Sequence, residues 1–214
     1  MKTMNLAAIL LLAMLQPAQA PFTRFTYCRE MPRGVYEKQC LALTADGAGE
    51  SQLKRRGSDQ VQGTFTLSTS GRAKFLSVIA ATNNLADGKD YETKKKVADL
   101  GRKHLSLELP SGTREADFNY SDLKEVNALA AFFDGLLNQQ TLTLDLETAI
   151  RYERLSVPER INQLEDDLKS SRIGDPEGLI PLLDKIIQDQ RVLEYARQHA
   201  EQIKNRLLMP IKSK

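Results

Sequence analysis

Residues 22–44 read FTRFTYCREMPRGVYEKQCLALT. Phe25 and Tyr27 alternate with Arg24 and Thr26, and Val35, Leu41 and Leu43 fall on one side of the run VYEKQCLALT. Alternation of period two marks strands with one wet and one buried face. Pro32-Arg33-Gly34 between the two runs is a turn. Asp46-Gly47 suits the positive φ of a tight hairpin leading into residues 50–54. Cys28 and Cys40 flank the Pro-Arg-Gly turn with eleven residues between them. A bond joining them would staple the first two strands and add about 3 kcal/mol in the chain-entropy account. An exposed redox pair would instead want Cys-x-x-Cys spacing and a lowered thiol pKa.

Downstream, Ser70 is placed to cap a helix whose Phe75, Leu76, Ile79 and Ala80 form an amphipathic stripe. Residues 83–96 are polar and read as a loop turned at Asp87-Gly88. In a second hairpin, Leu105, Leu107 and Leu109 alternate with polar residues. Pro110-Ser111-Gly112 then turns the chain, and Ala116, Phe118 and Tyr120 alternate on the return. Ser121 or Asp122 caps the next helix, with Glu125 completing a capping box and Leu123, Val126, Ala130, Phe133 and Leu137 as its buried stripe.

Beyond Asn138 the strand and turn signals stop. Leu142, Leu144 and Leu146 read as a connection into a helix over 145–155. Pro158 opens another helix, carrying Ile161, Leu164 and Leu168 and closed by Gly174. Asp175-Pro176 then pairs an N-cap with a proline at the first helical position. Leu179, Leu182, Ile186, Asp189, Leu193, Ala196, Ala200, Ile203 and Leu207 recur at spacings of three and four, a heptad seam about 42 Å long if unbroken. Asp189-Gln190 is where it would divide into two helices. The small Ala196 and Ala200 favour packing on the chain's own helices, and the same seam is the candidate for binding a partner or a second copy. The expected fold is α+β. A small antiparallel sheet with two packed helices (residues 21–138) precedes an α-helical region (139–214).

The N-terminus sets the compartment. Lys2, the apolar run Leu6–Leu15 and Ala18-Gln19-Ala20 form the pattern of a cleaved signal peptide over residues 1–20. The run is about half the roughly 20 residues needed to span a membrane. Pro21, just after the cleavage site, would slow cleavage. Export to the periplasm or beyond places the cysteines where disulfides persist. Without the leader the chain keeps 29 basic against 28 acidic residues, a balance that selects no partner and argues against nucleic acid. The absence of tryptophan argues against a carbohydrate-stacking platform.

Only His104 and His199 offer imidazoles, and no zinc signature, Gly-x-Ser-x-Gly elbow or glycine-rich phosphate loop occurs. No metal or cofactor is expected. Ser68, Ser70 and Ser111 sit at caps and turns, where serine is ordinary. Glu165-Asp166-Asp167 is the densest acidic cluster, but adjacent helical residues splay apart, and Lys169 and Arg172 stand nearby. Three basic runs, Lys54-Arg55-Arg56, Lys94-Lys95-Lys96 and Arg102-Lys103, would form an anion-attracting patch if the sheet gathered them. Asn119-Tyr120-Ser121 matches a glycosylation sequon.

Leu43-Thr44-Ala45-Asp46-Gly47, Val97-Ala98-Asp99-Leu100-Gly101, the segment Arg114-Glu115-Ala116-Asp117-Phe118-Asn119-Tyr120 and Asp175-Pro176-Glu177 together resemble uncharacterised exported proteins of environmental bacteria. The resemblance implies a periplasmic or secreted location and brings no catalytic residues. The expected function is an exported, non-catalytic interaction module, its heptad-patterned helices contributing to association. Two alternatives stand beside it. One is an envelope hydrolase assembled from dispersed residues such as His104 and a nearby carboxylate. The other is a binder of anionic envelope polymers through the basic runs.

Overall fold

The computed structural model describes residues 22–85, 90–99 and 101–209. The expected leader, Pro21 and the turn expected at Asp87-Gly88 lie outside the described residues. Strands β1 (Arg24–Glu30), β2 (Tyr36–Thr44), β3 (Ala48–Arg55), β4 (Gln60–Thr66), β5 (Arg102–Leu109) and β6 (Gly112–Phe118) form one antiparallel sheet in the order β4-β3-β2-β1-β5-β6. The first hairpins build outward from one side of β1. The later hairpin closes on its other side, setting Tyr27 opposite Leu105 and Cys28 opposite His104. Phe25, Tyr27, Leu41, Leu43, Leu105 and Leu107 are fully buried on one face. Val35 does not join them. The pairing shifts register between Tyr36 and Lys38, which leaves Val35 exposed ahead of β2, while Gln39, in phase with Leu41 and Leu43, is buried beside them.

Helices α1 (Thr69–Ala81) and α2 (Lys124–Tyr152) cover that face, so the fold is α+β. Phe133 of α2 centres the contact, with ring centroids 4.7 Å from Phe25, 5.1 Å from Tyr27 and 5.9 Å from Phe75. The cap of α1 is Ser68 rather than Ser70. Ser68 is extended (ψ 168°) and its Oγ accepts the Gly71 N–H at 3.0 Å, whereas Ser70 already lies in the first turn. The buried stripe is Gly71, Phe75, Val78 and Ile79, and Ala80 faces solvent.

No side chain caps α2. The Asp122 carboxylate accepts instead from Thr93 Oγ1 (2.7 Å) and Lys95 Nζ (2.8 Å), while Ser121 Oγ accepts the Leu123 N–H at 3.2 Å. The helix then runs 29 residues, about 43 Å at 1.5 Å per residue, and replaces the connection expected near Asn138. Leu142 and Leu146, one turn apart, are buried in a second apolar cluster, while Leu144 packs against the first. The leucine alternation is therefore two faces of one helix that serves both cores.

The second cluster is completed by α3 (Val157–Lys169), α4 (Ile180–Gln188) and α5 (Glu194–Leu208). α3 ends at Ser170, with Ser171 turning at φ 53°, so Gly174 does not close it. Gly174 provides a close approach instead: a Cβ there would stand 2.7 Å from Leu136 N and Phe132 O of α2. The heptad seam divides at Asp189, whose carboxylate takes the Arg191 backbone N–H (3.0 Å) and its guanidinium (2.9 and 2.8 Å). That pairing holds the Asp189 carboxyl well below the usual carboxylate range, the Arg191 side chain contributing most.

Candidate functional site

β4 forms one edge of the sheet. Just past its end, the Leu67 N–H donates to Gly47 O at 2.9 Å, toward β3. Backbone groups alternate sides along a strand, so Val61, Gly63 and Phe65 direct theirs to β3, and Gln60, Gln62, Thr64 and Thr66 direct theirs outward. The strand reads QVQGTFT and pairs with β3 in unbroken register, with no charge, proline or bulge. Those are the devices by which edge strands discourage pairing. The opposite edge, β6, carries Arg114, Glu115 and Asp117. On the helix-covered side of β4, Val61 is 43% exposed. Phe65 lies over Gly49, where a Cβ would come within 2.5 Å of the ring.

Beside Phe65 and Thr66 opens a cleft of about 440 Å³, walled by α2 and α4 through Gln139, Thr143, Leu182 and Lys185. Its rim lysine is held by Glu147 at 2.8 Å. At its base lies Asp175, 1% exposed. Asp175 Oδ2 accepts the Ser68 N–H (2.7 Å), and Oδ1 accepts the Ser68 hydroxyl (2.5 Å) and the Gly178 N–H (3.3 Å). Its own N–H donates to Gln139 Oε1 at 2.9 Å. One residue thus ties three segments, its carboxylate the start of α1 and the approach to α4 and its backbone N–H the middle of α2. Gly71 makes room for it, since a Cβ there would meet Asp175 Cγ at 2.3 Å.

Cys28 and Cys40 form a disulfide between directly opposed residues of β1 and β2, with Cα atoms 4.1 Å apart. The basic runs gather at one end of the sheet, because Lys54, Lys38 and Arg102 share a cross-strand row there with Glu30. Acidic neighbours answer them. Lys38 pairs with Glu30 (2.7 Å), Lys95 with Asp122 (2.8 Å) and Arg102 with Asp117 (3.9 Å). Arg56 donates to Pro32 O and Lys54 to Ser58 O, while Arg55, Lys94 and Lys96 are exposed. Lys103 leaves the patch altogether. It is buried, donates to Asn119 O at 2.9 Å and lies over the Phe118 ring, and burial pulls its pKa down.

Leu179, Leu182, Ile186, Ala196, Ala200 and Ile203 are buried in the chain's own second cluster, and Leu207 packs against it. Leu193 is exposed and Val192 takes the inward position, because the break at Asp189 resets the helical phase. Of the seam, Leu182 also reaches the cleft. His104 Nδ1 stands 3.2 Å from Asp117 Oδ1 on the helix-free face of the sheet. His199 Nε2 lies 3.3 Å from Glu165 Oε2, in an ion cluster joining α3 to α5.

In that cluster Glu165 also meets Arg206 (2.5 Å) and Lys169 (3.1 Å), and Arg206 above all holds its carboxyl down to about 2. A carboxyl lowered in the folded state stabilises above its unfolded pKa of about 4.3, and the gain disappears as pH falls through the folded value. Glu165→Gln is therefore expected to lower Tm at pH 7 by about 2–4 °C, the shift that about 1 kcal/mol of a solvent-screened pair gives in a chain this size. The difference from wild type should close between pH 4.3 and 2. A gap undiminished at pH 2 would refute the electrostatic origin.

Sequence reasoning did not single out β4 or the cleft. Val61 and Phe65 alternate with Gln and Thr, which identifies a strand, but nothing in those residues says that its outer side stays open. Among the described residues no group of three or more His, Cys, Asp or Glu side chains could hold a metal ion. No protein-family model matches the chain, and neither does any curated protein sequence.

Proposed function

We propose that this chain is an exported, non-catalytic interaction module that captures an extended peptide segment by strand addition on β4. The C-terminal helices contribute the cleft wall beside it. The observation that carries this reading is the uncharged edge Gln60–Thr66, four of whose residues turn their backbone groups outward next to a formed cleft. In such recognition main-chain hydrogen bonds supply affinity and neighbouring pockets select side chains. The leader pattern and the formed disulfide support export. Among the described residues no helix is long and apolar enough to cross a membrane.

The His104–Asp117 pair favours the hydrolase as the second reading. The polymer-binding reading is weakened because Lys95 and Arg102 are answered by Asp122 and Asp117 and Lys103 is buried.

Thr64→Pro separates these. Its N–H points away from β3, so proline removes a docking donor and leaves the internal ladder intact. Peptides selected by display on the mature protein should bind wild type and His104→Ala alike, and bind Thr64→Pro at least tenfold more weakly. Peptides that bound Thr64→Pro as well as wild type, or a selection that enriched none on a monomeric protein, would overturn the proposal.

A further inference from the structure

We infer that the segment docking on β4 is β4 of a second copy of this chain, giving a two-fold dimer with the sheet continuous across both molecules. The inference rests on reading β4 as the binding edge, and it follows from the strand's self-complementarity. Antiparallel pairing about Gly63 sets Gln60 opposite Thr66 of the copy, Val61 opposite Phe65, Gln62 opposite Thr64, and Gly63 opposite itself. On the helix side this makes two pairs of a β-branched residue with an aromatic ring, among the favourable cross-strand combinations. They cover the exposed Val61. On the other side only amides and hydroxyls meet.

No like charges are brought together, because Gln60–Thr66 holds none. The pairing is closed: the same patch serves both molecules, and dimerisation consumes the open edge that would otherwise template further chains. The next residue beyond the pairing, Asp59 of the copy, falls opposite Leu67 on the helix side, which is the side of the cleft and of Lys185 on its rim. The opposite edge cannot do this as well. In β6 self-pairing would bring together the charges of Arg114, Glu115 and Asp117 and their copies.

The register is testable by single cysteines. Gly63 directs its backbone groups to β3, so Gly63 and its copy form a non-hydrogen-bonded pair with Cα atoms about 4.5 Å apart, within disulfide reach. Gln60 and its copy, each three residues from the axis, stand about 20 Å apart. In the mature, oxidised protein Gly63→Cys is expected to crosslink to a dimer, and Gln60→Cys to stay uncrosslinked. Sedimentation of the unmodified chain should show a concentration-dependent dimer whose dissociation constant rises at least tenfold in Thr64→Pro.

Equal crosslinking of the two cysteine variants, or a dimer indifferent to Thr64→Pro, overturns the inference. A monomer that still binds selected peptides at β4 overturns the dimer and leaves the peptide-binding reading standing. A monomer that binds none overturns both.

Discussion

Asp175→Ala is expected to cost about 3–5 kcal/mol, the range for removing one side of a buried charge-assisted set. The loss is large because the carboxylate is 1% exposed and accepts from two segments at once, Ser68 before α1 and Gly178 before α4. Without it the Ser68 N–H loses its acceptor in a site that water reaches poorly, and the Gly178 N–H keeps only the Asp175 carbonyl, at 3.1 Å. Asp175→Asn keeps the volume and one acceptor oxygen and should lose about half as much. Urea unfolding followed by far-UV circular dichroism would report the stability. The near-UV signal of the Phe25–Tyr27–Phe133 cluster would show whether the sheet unfolds apart from the helices. Against a typical domain stability of about 5–15 kcal/mol, a loss under 1 kcal/mol would show that the joint is not where the two cores are held together.

Phe133→Ala should cost about as much, 3–5 kcal/mol, for a different reason. Its ring lies within 6 Å of those of Phe25, Tyr27, Phe75 and Phe132, and the residue is fully buried. Truncation leaves a cavity bounded by three separate elements that cannot all close on it. Phe133→Leu refills most of the volume and should cost less than about 1.5 kcal/mol. A Phe133→Ala variant as stable as Phe133→Leu would mean that α2 can shift to fill the space. The polar contacts beside the ring argue against such a shift: Tyr27 Oη donates to Asp134 Oδ1 at 2.9 Å, and Arg29 Nη1 donates to the same oxygen at 3.0 Å. Burial, and then the Asp134 charge, push the Tyr27 pKa well up, so the phenol stays a donor at all ordinary pH.

Neither variant touches the outward backbone of β4. Dimerisation should therefore track the fraction folded in both, and peptide capture should do so in Phe133→Ala, which leaves the residues lining the cleft in place. Thr64→Pro should do the reverse, impairing association while leaving stability nearly unchanged.

The amino-acid sequence by itself determined the local elements with the strongest periodicity. Alternation in 24–28, 41–43 and 105–109 and a proline or Asp-Gly turn between runs are enough to define strands and hairpins, because side chains on a strand repeat every two residues. It also determined the cystine, the proline-led helix at 158 and the Asp-Pro cap at 175. The tertiary structure alone decided the rest. Leu142, Leu144 and Leu146 alternate as a strand does, yet they belong to a helix that is buried on two sides, and period cannot distinguish one apolar face from two. Ser68 caps α1 because Asp175, 107 residues away, fixes its hydroxyl and N–H. The seam from Leu179 looked able to receive a partner, and it is occupied by its own neighbours once the chain turns at Asp189. That β5 closes on β1 and leaves β4 at an edge depends on which hairpin arrives at which side. Edge and centre strands can have the same residues, because what differs is the neighbour their backbone groups find.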